Sequence, residues 1–163
     1  MHLSHGAPVE LWQALVSEAA ERAGCAHDES RESYLVFMLL RHQKDGQLLT
    51  RTQALDWLRA HAQAGRLRDE SLREVGDRCL LIAGLYPALA ERRRVDVGYF
   101  MDLGRSAYLG IADAGRSAYA ALFRQLAAGY EDLVCTLRAV RPDMVGMRID
   151  FERLALMPAP GRR

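Results

Sequence analysis

The sequence predicts an all-α protein, a single-domain bundle of about six helices. Apolar residues recur at spacings of three and four along most of the chain, whereas the alternating pattern typical of strands is nearly absent. Half of the 163 residues are hydrophobic, which is enough for one substantial core. Glycines, prolines and capping residues divide the chain into segments of helix length. We therefore expect one domain over residues 1–163, with loose termini at 1–7 and 157–163.

The first two helices are predicted from their boundary residues. Pro8 suits a first helical turn, and Gly24 is a typical stop signal. Asp28 is a candidate N-cap for the second helix, whose centre, residues 34–40 (YLVFMLL), is apolar all round. Because a helix without a polar face is normally buried, we expect this one near the centre of the bundle.

The third helix is predicted to follow Thr50 or Thr52, either of which can cap it, and to close at Gly65. Its inner face is predicted from three residues at helical spacing: Leu55, Leu58 and Ala62.

A fourth helix is expected to start at Asp69 or Ser71. Pro87 should kink or end it, because proline lacks the amide hydrogen and clashes with the preceding turn. Asp96 can then cap a fifth helix.

The last third of the chain contains the pentapeptide GRSAY twice, at 104–108 and 115–119. The surrounding segment, 97–141, is compatible with helix throughout, and as one rod it would measure roughly 65 Å. A compact chain of this size has a radius of gyration near ~15 Å. We therefore predict a break near 110–115, with Asp113 capping the second piece, and a helical hairpin in the C-terminal third.

The hairpin is predicted to close through small residues. Four of them, spread over the two GRSAY copies, would let the helix backbones approach closely: Gly104, Ala107, Gly115 and Ala118. The second piece should hold one apolar face for about five turns, as far as Pro142. An unbroken helix with an eleven-residue period, which implies a right-handed supercoil, is the alternative.

Composition excludes several classes of function. The net charge of +1 gives no overall attraction to nucleic acid or to anionic lipid, so neither is expected as a partner. The longest apolar run, 79–90, is shorter than the roughly 20 residues of a membrane span, and the N-terminus lacks the features of a signal peptide. The sequence therefore predicts a cytoplasmic protein.

Motifs for metal, cofactor or nucleophilic chemistry are absent from the sequence. Apart from His2 and His5, in the N-terminal segment that is expected to be loose, no histidine pairs with another histidine or a glutamate at helical ligand spacing. No phosphate-binding glycine loop or nucleophile elbow occurs. The three cysteines, Cys25, Cys79 and Cys135, form no CxxC pair and indicate neither a zinc knuckle nor a redox pair. We predict no metal and no cofactor. His42, after an apolar helix, is expected to cap its carbonyls, with a ligand or acid-base role as the alternative.

Asp77 is the residue that raises the question of a site, because it lies beside the apolar stripe of the fourth helix. A carboxylate there needs a partner, most simply an arginine or a tyrosine hydroxyl. One interpretation is an internal ion pair or a cap. The other is a ligand pocket at the junction of two helices, lined by Asp77, Tyr86, Asp96, Tyr99 and Tyr108.

The stretch around this junction, 76–108, combines Gly76-Asp77, a Gly-Leu-Tyr, three arginines, Val-Asp-Val, an aromatic pair and Gly-x-x-Ala-Tyr. In this pattern it resembles a group of uncharacterised bacterial all-helical proteins. The resemblance covers about a fifth of the chain and implies no activity. It suggests only that the junction is the shared feature of the group.

From these observations we expect a non-enzymatic bacterial interaction or regulatory protein, whose partner is another protein or a second copy of the chain in a homodimer. The alternative is a helical bundle that binds a small ligand or cofactor at the Asp77/Asp96 junction, with enzymatic activity left open. A cavity with converging polar groups would favour the alternative, and a filled interior with an exposed apolar patch would favour the first expectation.

Overall fold

The fold was established from a computed structural model, which describes residues 7–25, 27–42, 52–92, 94–115 and 119–140. Within these ranges the chain forms one all-helical bundle and contains no strand, as predicted. Its eight helices are α1 (Ala7–Ala23), α2 (Glu29–His42), α3 (Gln53–His61), α4 (Gly65–Leu85), α5 (Pro87–Arg92), α6 (Val97–Ala114), α7 (Ala120–Ala128) and α8 (Tyr130–Ala139). The predicted loose termini lie outside the described residues, except for Ala7, which begins α1.

Helix α4 is the centre of the bundle and packs against α3, α6 and α8. Every residue from Val75 to Gly84 is buried, on all sides of the helix. The prediction that the 34–40 helix is central was therefore wrong. That helix, α2, packs on α1 and touches α7, and the Phe37 side chain is 60% exposed because no described element covers that face.

Local stop and start signals are confirmed in the first and last parts of the chain. Gly24 ends α1 at a φ of 69°, which favours glycine. The Asp28 carboxylate accepts a hydrogen bond from the amide of Arg31 at 2.9 Å, and the Asp96 carboxylate accepts one from the amide of Gly98 at 3.0 Å. Pro87 separates α4 from α5, as expected from its missing amide hydrogen.

The predictions for α3 and the start of α4 were partly wrong. Leu55 and Leu58 are 50% and 58% exposed, and the buried residues of α3 are Gln53 and Ala60, so a different face turns inward. Gly65 does not close α3. It opens α4 at a φ of 62°, and α4 therefore starts four residues before Asp69.

The C-terminal hairpin is confirmed. Helix α6 ends at Ala114, Gly115 adopts the left-handed conformation at a φ of 62°, and α7 packs back against α6. Asp113 does not cap the second piece, because it lies inside α6 and is exposed. The predicted five-turn helix is divided at Gly129 into α7 and α8, and Pro142 lies outside the described residues.

The two GRSAY copies differ in their structural roles. Gly104 is buried, and a Cβ at this position would overlap the Tyr130 hydroxyl and contact Cys79 Cβ, so close packing is confirmed there. Ala107 is also fully buried. Gly115 was predicted to pack closely, but among the described residues, its chain neighbours aside, no atom lies within 4 Å of where its Cβ would be. Glycine suits this position because the backbone there is left-handed, at a φ of 62°. Ala118 lies outside the described residues.

Candidate functional site

The Asp77 carboxylate lies in the core of the bundle and is completely buried. One of its oxygens accepts hydrogen bonds from two phenol hydroxyls, Tyr34 Oη of α2 at 2.5 Å and Tyr108 Oη of α6 at 2.6 Å. The predicted need for a partner is thus met by two tyrosines from two different helices. Short bonds of this kind to a carboxylate are among the strong hydrogen bonds of proteins.

The second oxygen of Asp77 faces two basic groups. His42 Nε2, at the end of α2, lies 3.5 Å away, and Arg73 Nε, one turn earlier on α4, lies 3.9 Å away. His42 is itself buried, so its ring belongs to the core and does not stand free at the helix end. The carboxylate therefore joins α2, α4 and α6 through both of its oxygens.

The aromatic rings around Asp77 pack edge to face. The Tyr34 and Tyr108 rings are 6.0 Å apart, and those of Tyr108 and Tyr130 are 5.6 Å apart. Tyr130 Oη donates a hydrogen bond to the carbonyl of Gly76 at 3.2 Å. Gly76 has no side chain, and a Cβ there would overlap the Tyr108 ring. This glycine therefore makes room for the ring beside the carboxylate.

Burial raises the pKa of the Tyr34, Tyr108 and Tyr130 hydroxyls well above the ordinary value for tyrosine. The negative charge of Asp77 adds to this effect, because a phenolate beside it would be repelled. All three phenols therefore remain hydrogen-bond donors over the physiological pH range, Tyr34 and Tyr108 to the carboxylate and Tyr130 to the carbonyl of Gly76.

A separate feature is an open cleft of about 1150 Å³ between α2, the start of α4, the end of α6 and the start of α7. Its walls are mainly apolar, with Arg66, Asp69, Glu70 and Arg73 among the polar residues. The apolar lining consists of Tyr34, Phe37, Ile111, Tyr119, Leu122 and Phe123.

Two residues belong both to the cleft and to the buried network. Tyr34 lines the cleft, and its hydroxyl donates a hydrogen bond to Asp77. The Arg73 guanidinium lies over the Tyr34 ring, 5.7 Å from its centroid, and its Nε faces Asp77. The cleft floor is thus connected to the core through the cation–π contact of Arg73 and the charge-assisted hydrogen bond from Tyr34 to Asp77.

The five predicted pocket residues are only partly brought together. Asp77 and Tyr108 are in contact. Tyr86 is buried just after α4, Asp96 is an exposed helix cap, and Tyr99 is 46% exposed with its ring against Phe100. Among the described residues, none of the five lines the cleft.

Sequence reasoning missed the residues that form the cleft and three of the groups around Asp77. Tyr34 and Phe37 both lie in the apolar run 34–40, which was predicted to be wholly buried. Nothing in that run distinguished Phe37 as an exposed residue. Arg73 was detectable, because it precedes Asp77 by four residues and i, i+4 pairs face each other on a helix. His42 was expected to cap its own helix, with a ligand or acid-base role as the alternative, and was not connected with Asp77.

The described part of the chain contains no group of three or more His, Cys, Asp or Glu side chains that could hold a metal ion. Within the same ranges, no helix is both long and apolar enough to cross a bilayer. The fold and the site define an all-helical bundle with a buried tyrosine–carboxylate network beneath an open apolar cleft. No protein family, curated protein or solved structure that we compared with this chain matches it.

Proposed function

We propose that this protein is a non-enzymatic binding module that holds an apolar segment of a partner protein in the cleft between α2 and α7. The observation that carries the proposal is the exposure of two aromatic side chains in the cleft. Phe37 and Tyr119 are 60% and 65% exposed. Exposed aromatic and aliphatic residues that line one concavity are typical of surfaces that a partner covers.

The buried network supports a binding function without catalysis. Asp77 is completely buried and already accepts two hydroxyl hydrogen bonds, so it has no access to a substrate. Its role in this proposal is to hold Tyr34 and Arg73, which form part of the cleft floor. A rigid floor lowers the conformational entropy lost when a partner binds.

The size of the cleft favours a second candidate, a small amphipathic ligand. The volume of about 1150 Å³ lies slightly above the range of about 300–1,000 Å³ that is typical of small-molecule sites, so the cleft has room for such a ligand. The Arg73 guanidinium could pair with an anionic group of such a ligand while the aromatic rings cover its apolar part. This site would differ from the Asp77/Asp96 junction that the sequence suggested.

Two finer expectations keep the status of proposals. One is that the chain belongs to the bacterial group that its 76–108 stretch resembles. The segment that connects α4 to α6 would then be the feature that the group shares. The other is self-association, in which a second copy of the chain supplies the apolar segment.

The test uses the full chain and two variants that place charge in the cleft, Phe37→Glu and Leu122→Glu. A matched control, Leu11→Glu, places the same charge on a 50% exposed leucine of α1, outside the cleft. Peptides selected from a random display library against the wild-type protein are measured against all four proteins. A thermal-shift panel of common metabolites and light scattering are run on the same set.

We expect selected peptides with apolar anchors to bind the wild type and the Leu11→Glu control, and to lose at least tenfold in affinity for both cleft variants. A metabolite that stabilises the wild type but not the cleft variants would replace the proposal by the small-ligand candidate. A dimer that dissociates only in the cleft variants would identify a second copy as the occupant. Peptides that bind all four proteins equally would show that the cleft is not the binding site.

A further inference from the structure

The fold brings together two cysteines that lie far apart in the sequence. Cys25 is in the turn after α1, and Cys135 is on α8. The Cys135 thiol and the Thr136 hydroxyl lie beside the Cys25 thiol, close enough for both to act on its pKa. Both cysteines are present as free thiols. This pair is not visible in the sequence, because the two residues share no motif.

The contact between the cysteines is part of a well-defined junction between α1 and α8. The Arg22 guanidinium donates a hydrogen bond to the carbonyl of Ala139 at 2.7 Å. On the other side of Cys25, His27 Nε2 and Thr136 Oγ1 are 2.6 Å apart. These two contacts flank Cys25 and hold its turn against α8, next to Cys135. The proximity of the thiols therefore follows from tertiary structure on both sides.

The two thiols differ in environment, and the difference assigns them different chemical roles. Cys135 is exposed, whereas Cys25 is half-buried. Partial burial and the neighbouring Asp132 carboxylate raise the pKa of the Cys25 thiol, so less of it is present as the reactive thiolate. Cys135 is therefore the thiol that a dissolved oxidant meets first, and Cys25 is the neighbour that reacts second.

We propose that Cys25 and Cys135 form a reversible intramolecular disulfide when the protein meets a peroxide. The Cys135 thiolate attacks one peroxide oxygen, which breaks the O–O bond and leaves a sulfenic acid and hydroxide. The Cys25 thiolate then attacks the Cys135 sulfur and displaces the hydroxyl group, which leaves as water after taking up a proton. Overall, two thiols and one hydrogen peroxide give one disulfide and two waters. A dithiol reductant reverses the reaction by thiol–disulfide exchange.

The disulfide would cross-link the turn between α1 and α2 to α8. Since α2 carries Tyr34 and Phe37, the bond would restrain the helix that forms one wall of the cleft. A cross-link that closes so long a stretch of chain also restricts the unfolded state strongly, and so raises the melting temperature. This inference does not depend on what the cleft binds.

The experiment treats the reduced full chain with hydrogen peroxide and follows free thiols and non-reduced peptides by mass spectrometry. We expect the loss of two thiols, a peptide pair that joins Cys25 to Cys135, and full reversal by dithiothreitol. The melting temperature should rise by roughly 5–10 °C in the oxidised protein. Cys79, which is completely buried, should remain a thiol, and the Cys79→Ala control should still form the cross-link.

The variants separate the two roles. Cys25→Ser should accumulate a sulfenic acid at Cys135 that dimedone traps, whereas the wild type should show little of this adduct because Cys25 resolves it. Cys135→Ser should form no cross-link. The proposal is overturned if peroxide drives Cys135 to sulfinic acid while Cys25 stays a free thiol. It is also overturned if the only disulfide found joins two molecules.

Discussion

The Asp77 carboxylate links three helices in the core of the bundle. It binds hydroxyls from α2 and α6 while it is itself part of α4. We predict that Asp77→Ala lowers the free energy of unfolding by about 3–5 kcal/mol, since it leaves two buried hydroxyls and the facing basic groups without their acceptor. Urea denaturation followed by circular dichroism measures this change.

The control variants show whether the loss of stability in Asp77→Ala comes from its hydrogen-bond network or from the loss of any carboxylate. Asp102→Ala removes an 81% exposed carboxylate from α6 and should change stability by less than about 0.5 kcal/mol. Tyr34→Phe and Tyr108→Phe should each cost about 1.5–3 kcal/mol, and the double variant should deviate from their sum. An Asp77→Ala protein as stable as the wild type would show that the carboxylate does not hold the three helices together.

The buried tyrosines also predict a pH dependence of stability. The pKa of Tyr34, Tyr108 and Tyr130 is raised in the folded protein above the ordinary value near ~10. Below about pH 10 both states keep the phenol protons, and the stability is fully present. Above it the unfolded chain releases them while the folded protein retains them. Each tyrosine then lowers the free energy of unfolding by about 1.4 kcal/mol per pH unit.

Melting curves between pH 8 and pH 11 test this dependence. We expect a melting temperature that is steady at the lower end and falls steeply above about pH 10. Tyr34→Phe should show a shallower fall than the wild type, because one of the contributing phenols is gone. Identical slopes for the two proteins would contradict the assignment of the alkaline transition to this cluster.

At the scale of elements, α6 is held close to its neighbours by a glycine. Gly104 faces Tyr130 of α8 and Cys79 of α4, with no space for a methyl group. We predict that Gly104→Ala destabilises the protein by about 1–3 kcal/mol. This loss should occur although alanine is the better helix former by roughly 1 kcal/mol. Equilibrium unfolding in urea gives the value.

Gly98 is the matched control, because it lies in the same helix but its nearest neighbours, the Asp96 carboxylate atoms, are at 3.6–3.7 Å. Gly98→Ala should be neutral or slightly stabilising, since the alanine keeps the amide that binds Asp96. Equal effects of the two substitutions would show that helix propensity, and not packing against Tyr130, decides the choice of glycine in α6.

At the scale of the whole molecule, local signals predicted the helices well and long-range placement poorly. Asp96 and Gly24 act through neighbours a few residues away, so their roles as cap and stop are visible in the sequence. The need of Asp77 for a partner was also visible, from its polarity in an apolar stripe. Which groups would meet it was not, because Tyr34 is 43 positions away and reaches it only through the packing of α2.

The cleft illustrates the same limit. An apolar run such as residues 34–40 does not show which of its residues the rest of the chain will cover. A hairpin break was predicted near 110–115, because a rod would not fit a compact chain, and the structure has it at Gly115. Which side of α2 remains exposed depends instead on how α7 is placed against α2. Sequence periodicity contains no information about that placement.

The residues that line the cleft should differ in how much they contribute to the stability of the whole molecule. Phe37 is largely exposed, whereas Phe123 is 6% exposed, although both line the same cavity. We predict that Phe37→Glu changes the free energy of unfolding by less than about 0.5 kcal/mol, and that Phe123→Ala lowers it by about 3–5 kcal/mol. Urea denaturation of both variants gives these values.

An environment-sensitive apolar dye provides the second measurement, because it brightens when it enters an apolar concavity of the folded protein. Phe37→Glu should reduce dye binding severalfold while stability is kept, which a residue used only for folding would not do. A large loss of stability in Phe37→Glu would mean that its exposed ring is part of the fold's own packing. Stability alone gives no reason for an uncovered phenylalanine at this position, whereas the partner-binding cleft proposed above would give one.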